Sequence, residues 1–112
     1  MRKKRILFCS EATFLNTGYA TYTREIMKYL YSTKKYHLAE LASYASPEDP
    51  RHAGIPWEFY PAAISSSDSE DVKKSYESKV ENQFGAFKFH DVCLDFKPDI
   101  VCDIRDFWML EF

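Results

Sequence analysis

The chain has 112 residues, the length of a single domain, and its 46% hydrophobic and 17% aromatic residues can build a buried core. A formal net charge of −2 argues against a general nucleic-acid binder, which would present a basic face. The 3 cysteines include no Cys-x-x-Cys pair, which argues against a disulfide framework and for a cytoplasmic location. The scattered histidines show no metal-ligand spacing. No apolar run approaches the roughly 20 residues that cross a membrane.

The chain begins with a basic run at residues 2–5, directly before an apolar segment. Two interpretations of this run stay open: weak contact with an anionic membrane surface or phosphorylated substrate, and a solvated flank before the first strand. Residues 5–10 (RILFCS) are almost continuously apolar, which predicts a strand buried on both faces.

A first helix is predicted at residues 19–32, because Asn16 and Thr17 favour helix N-caps and Gly18 permits close backbone approach. The apolar spacing predicts that its inward residues are Tyr22, Ile26, Met27, Tyr29 and Leu30. Residues 36–44 are then predicted to form a second strand. Its core residues are expected to be Leu38 and Leu41.

The middle of the chain is rich in residues that form loops. Residues 45–55 and 62–70 are predicted to be flexible loops. Between them, residues 56–61 (PWEFYP) predict a short strand, and the flanking prolines favour the edge of a sheet.

Two further helices and a strand are predicted in the last third of the chain. Residues 71–83 have apolar positions spaced by four, and residues 87–96 form a second helical segment that ends before Pro98. The residues of the second segment expected to point inward are Phe89, Val92, Cys93 and Phe96. Residues 99–104 (DIVCDI) are the last predicted strand.

The element order β-α-β-β-α-α-β predicts one α/β domain over residues 1–112, a Rossmann-like three-layer parallel sheet with strand order 3-2-1-4. The chain stops on the strongly apolar residues 107–112 (FWMLEF). A natural terminus is usually polar, so we expect a truncated domain whose missing part covers this end. In its absence, homodimer formation or an exposed apolar patch is expected there.

Ligands of open α/β sheets bind at the carboxyl ends of the strands, where two segments are expected to converge. The first is the loop at Asn16, Thr17, Gly18 and Tyr19. Its helix N-terminus suits an anionic or polyhydroxyl ligand, although Gly18 can equally serve only to make a turn. The loop contains neither GxGxxG nor GxxxxGK[ST], which argues against a dinucleotide site or a P-loop.

The second segment follows the last strand and contains Asp103, Arg105 and Asp106. Arg105 can clamp a phosphate or carboxylate, and either aspartate can bind sugar hydroxyls or act as a base. Alternatively, Arg105 pairs internally with Glu11 or Asp106 and only fixes the loop. Residues 82–85 (NQFG) are a third candidate for the cleft; the alternative is that Phe84 is core and Gly85 ends a helix.

Residues 6–11 (ILFCSE), followed by 16–20 (NTGYA) and 23–26 (TREI), resemble the opening of group 1 glycosyltransferases of the GT-B architecture. Residues 96–101 (FKPDIV) resemble the "PDIV" strand of the same family. The resemblance implies the acceptor-side, N-terminal half of a nucleotide-sugar-dependent hexosyltransferase. A sugar or glycan acceptor would bind here, and a separate C-terminal domain would bind the nucleotide-sugar donor.

Applied residue by residue, the resemblance implies that the acceptor cleft is lined by Asn16, Thr17, Gly18, Tyr19, Asp103 and Arg105. Asp106 would take the catalytic position. The histidine that the family carries after the fourth strand is absent, because this chain has DIRD at residues 103–106. No cofactor is expected in this half, and this half alone is expected to have no transferase activity.

A standalone α/β binding or oligomerisation module, flavodoxin-like or receiver-like, is the alternative. A receiver needs clustered acids after the first strand and a phospho-acceptor aspartate after the third. Glu11 is the only acid in the first loop, and Tyr60 and Pro61 offer no such aspartate. The sequence therefore argues against a receiver, and a plain oligomeric interaction domain remains as the alternative.

Overall fold

A computed structural model of the chain describes residues 3–65, 68–78 and 86–104. In these ranges there are four strands, three α-helices and one short 3-10 helix, Pro50–Gly54. The strands are β1 (Lys4–Glu11), β2 (Tyr36–Ser43), β3 (Glu58–Pro61) and β4 (Ile100–Ile104). The helices are α1 (Gly18–Ser32), α2 (Glu70–Glu77) and α3 (Ala86–Phe96).

The four strands form one parallel sheet in the order β3-β2-β1-β4. This confirms the predicted Rossmann-like α/β fold and its strand order. β3 lies at the edge of the sheet, as its prolines predicted, because a proline cannot donate a ladder hydrogen bond. β1 pairs with β2 on one side and with β4 on the other, so Leu7 lies opposite both Ala39 and Val101.

Apolar residues fill both faces of the two central strands. One face carries Leu7, Cys9, Ala39 and Leu41 against Val92 and Phe96 of α3. The other carries Ile6, Phe8 and Leu38 against Met27 of α1 and Trp57. Helices therefore cover opposite faces of the sheet, which explains why β1 is an almost continuous apolar run.

The buried face of α1 differs from the predicted one. Ala20, Thr23 and Met27 are fully buried, whereas Tyr22 is 61% exposed and Tyr29 is 70% exposed. The prediction was wrong for both tyrosines, because the helix packs on the sheet through Ala20, Thr23 and Met27, and the two tyrosines face solvent. The predicted N-cap is confirmed, since the Thr17 hydroxyl accepts a hydrogen bond from the Ala20 amide at 3.1 Å.

The second half of the chain follows the predictions with two differences. In α3, Val92 and Phe96 are buried as expected, but Phe89 is exposed. The predicted loop at residues 45–55 includes the 3-10 helix, whose first turn is capped by Asp49. α2 is described to Glu77. The remainder of its predicted span lies outside the described residues.

Arg5 is part of the fold. Its Nε donates to the Phe96 carbonyl at 2.6 Å, and its Nη1 donates to Nδ1 of His37 at 2.9 Å. The guanidinium also lies 4.5 Å from the centroid of the Phe96 ring. Lys3 and Lys4, by contrast, are exposed.

None of the helices in the described ranges is long and apolar enough to cross a membrane.

Candidate functional site

The loop after β1 brings a carboxylate to the N-terminus of α1. The Ala12 amide donates to the Ser43 carbonyl at 3.1 Å, and the Leu15 amide donates to the Ala12 carbonyl at 3.0 Å, which turns the chain. The Thr17 hydroxyl then donates to the carboxylate of Glu11 while it caps the helix. Thr17 is therefore fixed at the carboxyl end of a central strand.

An open cavity of about 640 Å³, hereafter the α1 cavity, lies beside this helix start. Its lining residues are Asn16, Thr17, Gly18, Thr21, Tyr22 and Glu25. The structure thus brings together three of the predicted site residues and adds three that the sequence analysis missed. The missed signal was helical spacing, because positions 18, 22 and 25 share one helix face.

The lining of the α1 cavity combines hydrogen-bonding groups with one exposed aromatic ring. Asn16 offers an amide, Thr21 and Tyr22 offer hydroxyls, and Glu25 offers a carboxylate. Glu25 is the only charged side chain among the described residues of the lining. Such a surface can bind a neutral ligand that carries several hydroxyl groups.

Gly18 is not required by the fold. It is the first residue of α1, its φ lies outside the left-handed region, and a Cβ built on it meets no atom within 4 Å. Its missing side chain leaves open space in the wall of the cavity.

The other predicted site residues lie elsewhere. Tyr19 is in the first turn of α1 and does not line the α1 cavity. Asp103 pairs with Cys9 across the sheet, and its neighbours Cys102 and Ile104 pack on the α1 side. Because side chains alternate along a strand, Asp103 points to the α3 side.

Arg105 and Asp106 lie outside the described residues, and so does the third candidate segment, residues 82–85. The catalytic position assigned to Asp106 therefore stays a prediction. The same holds for the clamp assigned to Arg105.

Glu40 is a buried carboxylate that the sequence analysis missed. It is 2% exposed in the middle of β2. Its oxygens accept hydrogen bonds from the Thr13 hydroxyl at 2.6 Å, the Thr13 amide at 3.1 Å and the Trp57 indole Nε1 at 3.0 Å. Glu40 therefore joins β2 to the loop after β1 and to the segment before β3.

The pKa of Glu40 is raised above its ordinary value, because the cost of burying the charge outweighs the three hydrogen bonds that favour it. A group whose pKa is higher in the folded state stabilises the fold at low pH, and that contribution is lost as the pH rises through the folded value.

We expect the free energy of unfolding of the wild type, relative to Glu40→Gln, to fall as the pH rises from about 4.5 toward neutrality. The glutamine variant has no proton to lose at this position. Urea titrations of both proteins across this range measure the difference. A difference that grows with pH would contradict the buried carboxyl described here.

The described residues provide little for metal or thiol chemistry. Within them, no group of three or more His, Cys, Asp or Glu side chains is arranged to hold a metal ion. The three cysteines are not disulfide-bonded, and burial raises the thiol pKa of both Cys93 and Cys102. Raised thiol pKa values disfavour the nucleophilic thiolate.

Comparisons of the chain with protein-family models, curated proteins and solved structures gave no match. The class that the structure itself defines is a Rossmann-like α/β domain with an open cavity at the start of its first helix.

Proposed function

We propose that the chain is the acceptor-side half of a nucleotide-sugar-dependent glycosyltransferase, and that the α1 cavity holds the acceptor sugar. The observation that carries this proposal is the open wall at Gly18. Gly18 is the first residue of α1, and a Cβ built on it meets no atom within 4 Å. The wall beside the capped helix start is therefore free of side-chain atoms and offers space for a ligand.

The charges around the α1 cavity favour a neutral polyhydroxyl ligand over an anion. The Glu11 carboxylate already occupies the neighbourhood of the helix N-terminus through Thr17. Glu25 adds a second carboxylate on the lining. The lining residues include no cation that could receive an anion, whereas sugar hydroxyls can donate to carboxylate oxygens and accept from the Asn16 amide.

The exposed ring of Tyr22 supports a sugar in particular. It extends into solvent beside the polar groups of the cavity. An aromatic face offers an apolar platform for the C–H groups of a pyranose, while its hydroxyl remains able to form hydrogen bonds. Hydroxyl-rich ligands with one apolar face match this combination.

The edge strand β4 supports the transferase half of the proposal. Ile100 and Val101 are exposed on it, and β1 is its only partner among the described strands. In a doubly wound sheet, a further strand would pair with this edge. In the proposal, the donor reaches the acceptor across the cleft at the carboxyl ends of β1 and β4.

Tyr22→Ala should weaken the binding of a neutral sugar about two- to tenfold, the range expected for loss of one aromatic platform. Isothermal titration with the methyl glycosides of glucose, galactose, mannose and N-acetylglucosamine measures it. Tyr29→Ala is the matched control, because Tyr29 is exposed two turns further along α1 and does not line the α1 cavity.

Equal affinities in Tyr22→Ala and Tyr29→Ala would contradict the assignment of the cavity. Both substitutions are at solvent-exposed positions, so both variants should fold like the wild type. A change in affinity can therefore be assigned to the cavity and not to stability.

A binding module without catalysis is the second candidate, and exposed apolar residues on α3 and β4 favour it. Leu94 of α3 is exposed together with Ile100 and Val101 of β4. In this alternative, a protein partner or second copy would cover these residues, and the α1 cavity would bind no sugar.

A further inference from the structure

A second cavity lies on another face of α1, between that helix and the segment that leads into β3. Its volume is about 300 Å³, and we call it the Trp57 cavity. From α1 it takes Arg24, Lys28 and Tyr31, whose spacings of four and three place them on one helix face. The α1 cavity uses a different helix face, so the two cavities are separate surfaces.

The Trp57 cavity has aromatic walls that are held by other contacts. Trp57 and Tyr31 meet edge to face, with ring centroids 6.1 Å apart. The indole nitrogen of Trp57 is anchored on the buried Glu40. On the opposite wall, Phe14 stacks on Phe59 with centroids 5.8 Å apart. The walls are therefore arranged before any ligand arrives.

Three cations line the same cavity, and no acidic side chain does so among the described residues. Arg24 is oriented by the hydrogen bond from its Nη1 to the Thr13 carbonyl at 3.0 Å. Arg24 Nε and Lys28 Nζ lie 3.9 Å and 4.0 Å from the same Glu25 carboxylate oxygen, at the limit of an ion pair. Arg51 lies over the Phe14 ring and is paired with Asp49 at 2.7 Å. Arg24 and Lys28 thus remain able to receive an anion.

We propose that the Trp57 cavity binds a small aromatic carboxylate of one or two rings. The ring would lie against Tyr31 and Trp57, and the carboxylate would meet Arg24 and Lys28. The volume is at the lower end of ligand cavities, which limits the ligand to this size. The proposal does not rest on the proposed function, because the Trp57 cavity has its own lining and takes a different class of ligand.

The test is a titration of the chain with naphthoate, followed in proton–nitrogen correlation spectra. Naphthalenemethanol, which has the same rings without the charge, is the matched ligand. We expect naphthoate to shift the Trp57 indole signal and the amides around Lys28, and to bind more tightly than the alcohol.

Lys28→Gln should weaken naphthoate binding about three- to fivefold, as expected for loss of one exposed ionic contact, and leave naphthalenemethanol unaffected. Lys35→Gln is the control, since Lys35 is an exposed cation beyond the end of α1 and outside the cavity. Equal binding of acid and alcohol, no shift at Trp57, or no difference between Lys28→Gln and Lys35→Gln would each overturn the proposal.

Discussion

Replacing Phe96 with alanine should lower the free energy of unfolding by about 3–5 kcal/mol. Phe96 is 1% exposed and joins α3 to the core of β1 and β2. Its ring meets the His37 ring at 5.2 Å and the Tyr60 ring at 6.4 Å, and the Arg5 guanidinium covers it. Alanine would remove all three contacts and leave a cavity in the core.

Phe89→Ala is the matched control on the same helix. Phe89 is 40% exposed, so its loss should cost less than about 1 kcal/mol. Urea titrations monitored by far-ultraviolet circular dichroism give both values. Similar losses in the two variants would mean that α3 packs through the face that carries Phe89, contrary to the structure.

Glu40→Ala should also lower the free energy of unfolding by about 3–5 kcal/mol, because it leaves several buried neutral donors without an acceptor, at about 1–3 kcal/mol for each unsatisfied group. Three donors would lose their partner: the amide and hydroxyl of Thr13 and the indole of Trp57. Glu40→Gln should lower the free energy of unfolding by less, because glutamine keeps one acceptor oxygen. Some loss should remain, because its amide group would face one of the donors.

The control for this prediction is Glu58→Ala on the neighbouring strand. The Glu58 side chain is about half exposed and its carboxylate lies 3.7 Å from Nε2 of His37, so its removal should cost under about 1 kcal/mol. Thermal and urea unfolding measure the comparison. If Glu58→Ala and Glu40→Ala are equally stable, the buried network contributes little to the fold.

The first strand was predictable because β1 is buried on both faces, so an almost unbroken apolar run marks it. The second was predictable from its core residues Leu38 and Leu41, which are buried. The inward face of α1 was not predictable in this way, because the spacing of large apolar residues favours Tyr22 and Tyr29. The sheet is instead approached through Ala20 and Thr23, whose small size allows close packing. Which residues pack is decided by distance to the sheet, and a single sequence does not contain that distance.

The candidate site was partly predictable for a topological reason. The rule that ligands bind at the carboxyl ends of parallel strands led to Asn16, Thr17 and Gly18, which line the α1 cavity. It did not lead to Glu25, because Glu25 lies further along α1 and reaches the cavity only through its position on the helix face. Glu40 was also missed, although an acid between Ala39 and Leu41 in a buried strand is itself a signal of an internal partner.

A residue-resolved nuclear magnetic resonance titration with the same methyl glycosides tests the central claim most directly. We expect the largest amide shifts to cluster at Asn16, Gly18 and Thr21. Tyr22→Ala should weaken these shifts, and the amides around Trp57 should stay unchanged. Shifts confined to β4 and α3, or no shift with any glycoside at saturating concentration, would contradict a sugar site in the α1 cavity and favour the interaction module.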